Sequence, residues 1–138
     1  MNILQAEGKN VVELAGINAN PRYTQLLEGA RLVREHNIDL ILAVGGGSVI
    51  DCAKGIACAA YAEGDVWQRY YVNQEPVTNR VIPVGSILTM AGTGSEMNSG
   101  SVITNEAENL KIGRVYPLAL VTPRFSILNP EYTYSVPK

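Results

Sequence analysis

LILAVGGGSVIDCAKGIACAA, residues 40–60, joins an apolar run to a helical pattern through three consecutive glycines. Leu40 to Val44 form an unbroken apolar run that reads as a strand buried on both faces, and the run stops at Gly45, Gly46 and Gly47. Beyond the glycines, Val49, Ile50, Ala53, Ile56, Ala57 and Ala60 recur at helical spacing, and Ser48 followed by Asp51 has the form of a capping box. The unit is strand, glycine turn, helix. Its glycines are free to take positive φ and bring bare amide N–H groups against a ligand, while the helix N-terminus adds partial positive charge; phosphate is the natural occupant. The same residues would equally serve a tight packing turn, with Ser48 as an ordinary N-cap. The spacing is not GxGxxG, and Lys54 falls too deep in the helix to complete a P-loop, which disfavours a common nucleoside triphosphatase.

The whole chain, 138 residues with 46% hydrophobic and 17% charged, reads as one domain with room for a core. A net charge of −2 and scattered Lys and Arg leave no basic stripe for nucleic acid. No apolar run is long enough to span a bilayer and no signal-peptide pattern opens the chain, so a soluble, cytoplasmic protein is expected. Cys52 and Cys58 fall on different faces of one predicted helix, without a CxxC or a nearby His, and read as buried free thiols.

Upstream, Met1 to Asn10 reads as a helix tail or a cut end, Val11 to Leu14 as a short strand, and Asn20-Pro21 as N-cap and N1 of a helix running to about His36. His36, at that helix's C-terminus, is read as structural. Downstream, Trp67, Tyr70 and Tyr71 could stack on a base, but large aromatics dominate packing area and the core is the preferred place for them. Arg80 to Val84 reads as a strand whose Pro83 marks an edge or an end. The expected fold is α/β, with a Rossmann-like, mostly parallel sheet and flanking helices.

A second informative stretch is GSILTMAGTGSEMNSGSVIT, residues 85–104. Small hydroxyl and glycine residues gather just after a strand, where open α/β sheets place ligands, and Thr89, Thr93, Ser95 and Asn98 are candidate donors. A flexible surface loop would have similar composition. Two alternating runs, Ser101 to Thr104 and Lys111 to Val115, predict a β-hairpin laid over this loop, with Lys111 on it as an ordinarily solvated side chain. Leu118 to Thr122 and Phe125 to Leu128 read as strands, and NPEYTYSVPK closes the chain without a helix.

AVGGGSVIDCAKGIA (43–57), LTMAGTGSEMNSGSVITN (88–105) and TPRFSILNPEYTYSVP (122–137), in that order and at that spacing, together resemble the iron-containing, or group III, alcohol dehydrogenases, and within them the butanol-dehydrogenase-like branch. The resemblance extends from about Val11 to the end of the chain. It implies a domain binding NAD or NADP, with Gly46, Gly47 and Ser48 under the pyrophosphate and Asp51 just behind. Thr89 and Thr93 would contact the adenosine and phosphate part. Asn98 and Gly100 would lie toward the ribose and nicotinamide, Lys111 would reach the nicotinamide-side ribose, and Thr133 would lie near the adenine. Asn129 stands where the family usually has Asp, and an altered local hydrogen bond is expected there.

The resemblance also implies a divalent metal, iron or zinc, held by one Asp and three His in a helical domain beyond this chain's last block, and a first βα unit that here is missing or reduced to Met1–Asn10. The chain is therefore expected to be an internal piece supplying the cofactor half of an enzyme that passes hydride between a small primary alcohol or aldehyde and a nicotinamide. Alone it is expected to bind nucleotide weakly and to lack turnover. Two other readings stay open: a non-catalytic nucleotide-binding module, and an oligomerising fragment whose unpaired sheet edge invites a second copy. A homodimer is expected.

Overall fold

The computed structural model describes residues 2–137. After a short helix α1 (Asn2–Ala6) the chain forms α2 (Tyr23–His36), β1 (Ile41–Gly45), α3 (Gly47–Ala59), a π-helical segment (Trp67–Val72), β2 (Val84–Leu88) and a 3₁₀ turn (Ser95–Met97). The hairpin β3 (Gly100–Asn105) and β4 (Leu110–Val115), a single turn α4 (Leu118–Val121), β5 (Ser126–Leu128) and a second 3₁₀ turn (Pro130–Thr133) complete it. The α/β expectation holds: β1, β2 and β5 pair in parallel in the order β1-β2-β5, and β3-β4 is a separate antiparallel ribbon.

The helix α3 is the centre of the molecule. It packs against α2, the strands β1 and β2, and the hairpin strand β3, and Ile50 and every residue from Cys52 to Ala59 are buried. Its approach to α2 depends on two glycines: a Cβ on Gly29 would lie 2.3 Å from Ile56 Cδ1, and one on Gly55 would lie 2.5 Å from Leu26 Cδ1. Leu26, fully buried in that seam, is worth roughly 1.5–3 kcal/mol relative to an exposed position.

On the sheet, the row Ala43–Ser86–Ser126 runs in register on the covered side, with Ala43 and Ser86 buried and the two serine hydroxyls bonded at 2.6 Å. The next row, Val44–Ile87–Ile127, must point the other way. There Val44 is 56% and Ile127 49% exposed, so β1 is not buried on both faces as its apolar run predicted.

The aromatic segment is core. Trp67, Tyr70 and Tyr71 are almost fully buried, Trp67 stacks on Tyr71 with ring centroids 5.4 Å apart, and its indole N–H donates to Glu108 at 2.9 Å. Cys52 and Cys58 are buried free thiols, and burial pushes each up to about 12. No helix among the described residues is long and apolar enough to cross a membrane.

Several local expectations are corrected. Val11–Leu14 forms no strand, although Leu14 packs on the core. The helix α2 begins at Tyr23, after the predicted Asn20-Pro21 cap, because Pro21 and Arg22 are held extended against the hairpin: Thr104 N–H donates to the Pro21 carbonyl at 2.9 Å, and Arg22 bridges Thr104. The helix still ends at His36, with Asn37 left-handed as its C-cap. Arg80–Pro83 only approaches the strand, which starts at Val84 and is central; Pro83, lacking an N–H, contributes its carbonyl to Ile41 at 2.9 Å. Leu118–Val121 is a helical turn and not a strand, with Val121 buried and Leu118 exposed. The closing segment, expected to be without helix, contains the 3₁₀ turn Pro130–Thr133, capped by Asn129 Oδ1, which accepts from Glu131 N–H at 3.1 Å.

Candidate nucleotide-binding site

The three parallel strands end level with one another. Gly45 pairs with Leu88, and Leu88 with Leu128, so the segments that follow, 46–48, 89–93 and 129–133, line one edge of the sheet. Ligands of open α/β sheets gather at this carboxyl edge. The sequence expectations for Gly46, Gly47, Ser48, Thr89, Thr93 and Thr133 thus fall on one side of the molecule.

The turn itself differs in detail from what its glycines suggested. None of Gly45, Gly46 and Gly47 has positive φ, and Gly46, the N-cap of α3, is extended at φ −86° and ψ −168°. What the glycines supply is space. A Cβ on Gly47 would stand 2.2 Å from Thr93 Oγ1, so the Thr93 side chain is seated directly on the helix start. A Cβ on Gly46 would meet nothing nearer than Met90 at 4.0 Å, which leaves open room over that residue. The first amides of α3 have no partner one turn back within the helix. This open, amide-lined, positively polarised end fits a diphosphate.

The capping box does not form. Ser48 Oγ donates to the Ala19 carbonyl at 2.6 Å, and α3 has no side-chain cap. Asp51 has turned to the glycine-serine loop and the hairpin: Oδ1 accepts from Ser95 Oγ at 2.6 Å and Oδ2 from Val102 N–H at 3.0 Å. It therefore clamps three segments together from beneath the turn.

The loop 89–100 is fastened at several points. Thr89 N–H donates to the Gly45 carbonyl at 3.0 Å, tying the end of β2 to the glycine turn, and Thr93 Oγ1 accepts from Ser95 N–H at 3.2 Å. Asn98 Oδ1 accepts from Gly100 N–H at 2.9 Å. Both Asn98 and the Gly100 carbonyl are also held by a residue not identified from the sequence: Lys54. Its Nζ donates to Ser95 Oγ at 2.8 Å, Asn98 Oδ1 at 3.0 Å and the Gly100 carbonyl at 3.0 Å, and the residue is fully buried. Burial lowers its pKa to about 8, against the opposing pull of Asp51 and Glu96. The signal was present in its position, four residues after Ile50 and four before Cys58, where a charge would lie on a face shared with apolar residues.

Lys111 lies on β4 and donates to Asn20 Oδ1 at 2.8 Å. Asn20 follows Ala19, the acceptor for Ser48, so the hairpin lysine is linked to the helix start through one short segment. Thr133 sits in the 3₁₀ turn after β5, and its hydroxyl donates to the Pro130 carbonyl at 2.7 Å. Among the described residues no group of three or more His, Cys, Asp and Glu could hold a metal ion. The residues present therefore do not fit the iron or zinc that the resemblance implies.

A sequence profile of the family described as iron-containing alcohol dehydrogenase matches residues 1–130. The probable NADH-dependent butanol dehydrogenase 1 of Bacillus subtilis is 50% identical over 135 residues, covering 98% of this chain and 34% of the relative. The NADH-dependent butanol dehydrogenase A of Thermotoga maritima superposes with a TM-score of 0.88 at 34% identity, over 99% of this chain and 33% of that one. The sulfoacetaldehyde reductase of Bifidobacterium kashiwanohense, solved with NAD+, superposes with a TM-score of 0.80 at 30% identity, over 89% and 32%. The chain spans about a third of the length of these proteins. By profile, identity and superposition alike, it belongs to the iron-containing alcohol dehydrogenase family.

Proposed function

We propose that the chain is the nicotinamide-dinucleotide-binding part of an alcohol dehydrogenase, and that the diphosphate of NADH or NADPH rests on the amides of Gly46, Gly47 and Ser48. The observation that carries this is the open space over Gly46 at the mouth of α3, level with the ends of β2 and β5. Held by these residues, the nicotinamide would supply hydride-transfer chemistry, with a small primary alcohol such as butanol, or its aldehyde, as the partner.

The chain's own contribution is binding and orientation. The α3 amides receive the diphosphate, Thr89 and Thr93 border it on the adenosine side, Asn98 and Gly100 lie toward the ribose and nicotinamide, and Thr133 toward the adenine. Lys111 is exposed, and its bond to Asn20 is a surface one, so the ammonium is free to exchange that partner for a ribose hydroxyl. The proposal predicts nucleotide binding without turnover of butanol or butanal by these 138 residues. Titrating NADH and NADPH into the purified chain by calorimetry tests it: saturable binding of either, competed by inorganic pyrophosphate, supports the reading, and absence of both refutes it.

A second reading rests on the uncovered apolar row of Val44 and Ile127. It makes the chain a homodimer joined through that sheet face. Sedimentation would then show concentration-dependent association that Val44→Lys abolishes; a monomer at all concentrations sinks it.

A further inference from the structure

We propose that Lys54 is a positioning residue for the nucleotide site: from inside the core, its ammonium holds the segment Ser95–Gly100 in the arrangement that borders the cofactor. The inference rests on the nucleotide-binding reading above. The geometry matches donors to acceptors. An ammonium has three N–H bonds, and three oxygens of this one segment accept them: Ser95 Oγ, Asn98 Oδ1 and the Gly100 carbonyl. Ser95 Oγ spends its own proton on Asp51, so it depends on Lys54 as a donor. Asn98 is exposed and Lys54 is fully buried, so the lysine reaches outward from the helix interior to fasten the underside of a surface loop.

The loop is held by Lys54 together with a few other ties. It contains Gly92 and Gly94 at positive φ, and residues 90–93 are exposed. Its other described fastenings are the Thr89–Gly45 bond and the seat of Thr93 on Gly47 near its start, the Ser95 Oγ–Asp51 bond at 2.6 Å, and near its end two bonds to Tyr116, whose carbonyl accepts from Ser99 Oγ at 2.7 Å and whose N–H donates to the Ser99 carbonyl at 3.1 Å. Toward its end, the bond from Ser126 Oγ to the Glu96 carbonyl at 2.8 Å adds a tie to β5. Around Lys54 the charged groups are Asp51 on its own helix and Glu96 on the loop, and the hairpin strand β3 contributes the Gly100 carbonyl. A buried ammonium is costly without full hydrogen bonding. That cost makes the bonded arrangement of the loop the one in which Lys54 is satisfied, so the loop is ordered before any nucleotide arrives.

The test uses the 138-residue chain with Lys54→Met, which keeps a long apolar stem and removes all three donors, and Lys54→Arg, which restores charge and donors. We expect Lys54→Met to weaken NADH binding at least tenfold while leaving the thermal midpoint within a few degrees. Amide exchange at Ser95–Gly100 should rise at least tenfold relative to α3 amides, and Lys54→Arg should recover affinity to within a few-fold of the original. Wild-type affinity in Lys54→Met, or unchanged exchange in the loop, overturns the proposal. If Lys54→Met fails to fold, Ser95→Ala removes the link between Lys54 and Asp51 and must raise exchange at Asn98 and Gly100; unchanged exchange there overturns it equally. If the parent chain binds no NADH at all, the nucleotide reading fails, while the exchange measurement still decides whether Lys54 orders the loop.

Discussion

Gly46 and Gly47 are neighbours with different physical duties, and replacing each with alanine separates stability from binding. At Gly46 the backbone is extended, a conformation alanine adopts freely, and the added Cβ has only Met90 within reach at 4.0 Å. Stiffening the unfolded chain stabilises by about 0.4–1 kcal/mol, and loss of a favoured N-cap residue costs a similar amount. Gly46→Ala should therefore move the thermal midpoint by about 2 °C or less. Its methyl group, however, would stand in the space where the diphosphate comes against the amides, and affinity for NADH should fall at least tenfold, about 1.4 kcal/mol.

Gly47→Ala puts the Cβ 2.2 Å from Thr93 Oγ1 and 2.7 Å from its Cγ2, so Thr93 must leave its seat. Overpacking costs about 1–3 kcal/mol and the gain in helix propensity returns up to ~1 kcal/mol, for a net loss of about 1 kcal/mol and a midpoint lower by roughly 4 °C. Thr93→Gly in the same chain should relieve the clash and recover that stability. The assay is differential scanning fluorimetry paired with NADH calorimetry on the three variants. Unchanged affinity in Gly46→Ala would refute the reasoning, because it would mean that no ligand group approaches that residue.

Further outcomes follow from the buried polar groups. Between pH 8 and 9 Lys54 should add about 1 kcal/mol to the unfolding free energy of the original chain relative to Lys54→Met, because it loses its proton near 8 in the folded chain and only near 10.5 when unfolded, so the unfolded state binds more protons there. Above about pH 9 the sign reverses, since Cys52 and Cys58 are held up to about 12 in the fold and the unfolded thiols ionise first; urea titrations across this range check both limbs, and Lys54→Met should remove the first. The two thiols should be unreactive to a disulfide reagent at pH 8 in the folded chain and react fully in denaturant, whereas rapid native labelling would contradict their burial. Asp51→Ala strips acceptors from Ser95 and Val102 and should cost about 3 kcal/mol by urea unfolding; a loss under 1 kcal/mol would show that the clamp is dispensable.

How much of this was legible in the sequence depends on whether the signal was periodic or relational. The strand–glycine–helix unit, the hairpin over 101–115 and the buried aromatics follow from local pattern, and all appear in the fold. The failures are places where a distant partner overrides a local preference. Ser48 and Asp51 have the spacing of a capping box, but Ala19 and the loop near Ser95 offer them bonds with residues 29 and 44 positions away. Asn20-Pro21 looks like a helix start, but pairing with Thr104 keeps the backbone extended. Leu118–Thr122 reads as a strand because it is apolar, yet only Val121 is buried, with Leu120 packed beside it on the core, and one helical turn suffices.

Within the site, the expectations at Gly46, Gly47, Thr89 and Thr93 fall on one sheet edge because strand ends carry them there. The part played by Lys54 could not be read the same way. Its acceptors lie more than 40 residues further along the chain, and only folding brings them to the one charge on the buried face of α3.

If the bare amides at the start of α3 receive the diphosphate of a nicotinamide nucleotide, they must sense its arrival. Titrating NADH into the ¹⁵N-labelled chain and following amide chemical shifts reads this out residue by residue. The largest shifts should fall at Gly46, Gly47 and Ser48, with smaller ones through Thr89–Gly94, and the same three amides should respond to inorganic pyrophosphate. Saturation by NADH with those three amides unmoved would contradict it.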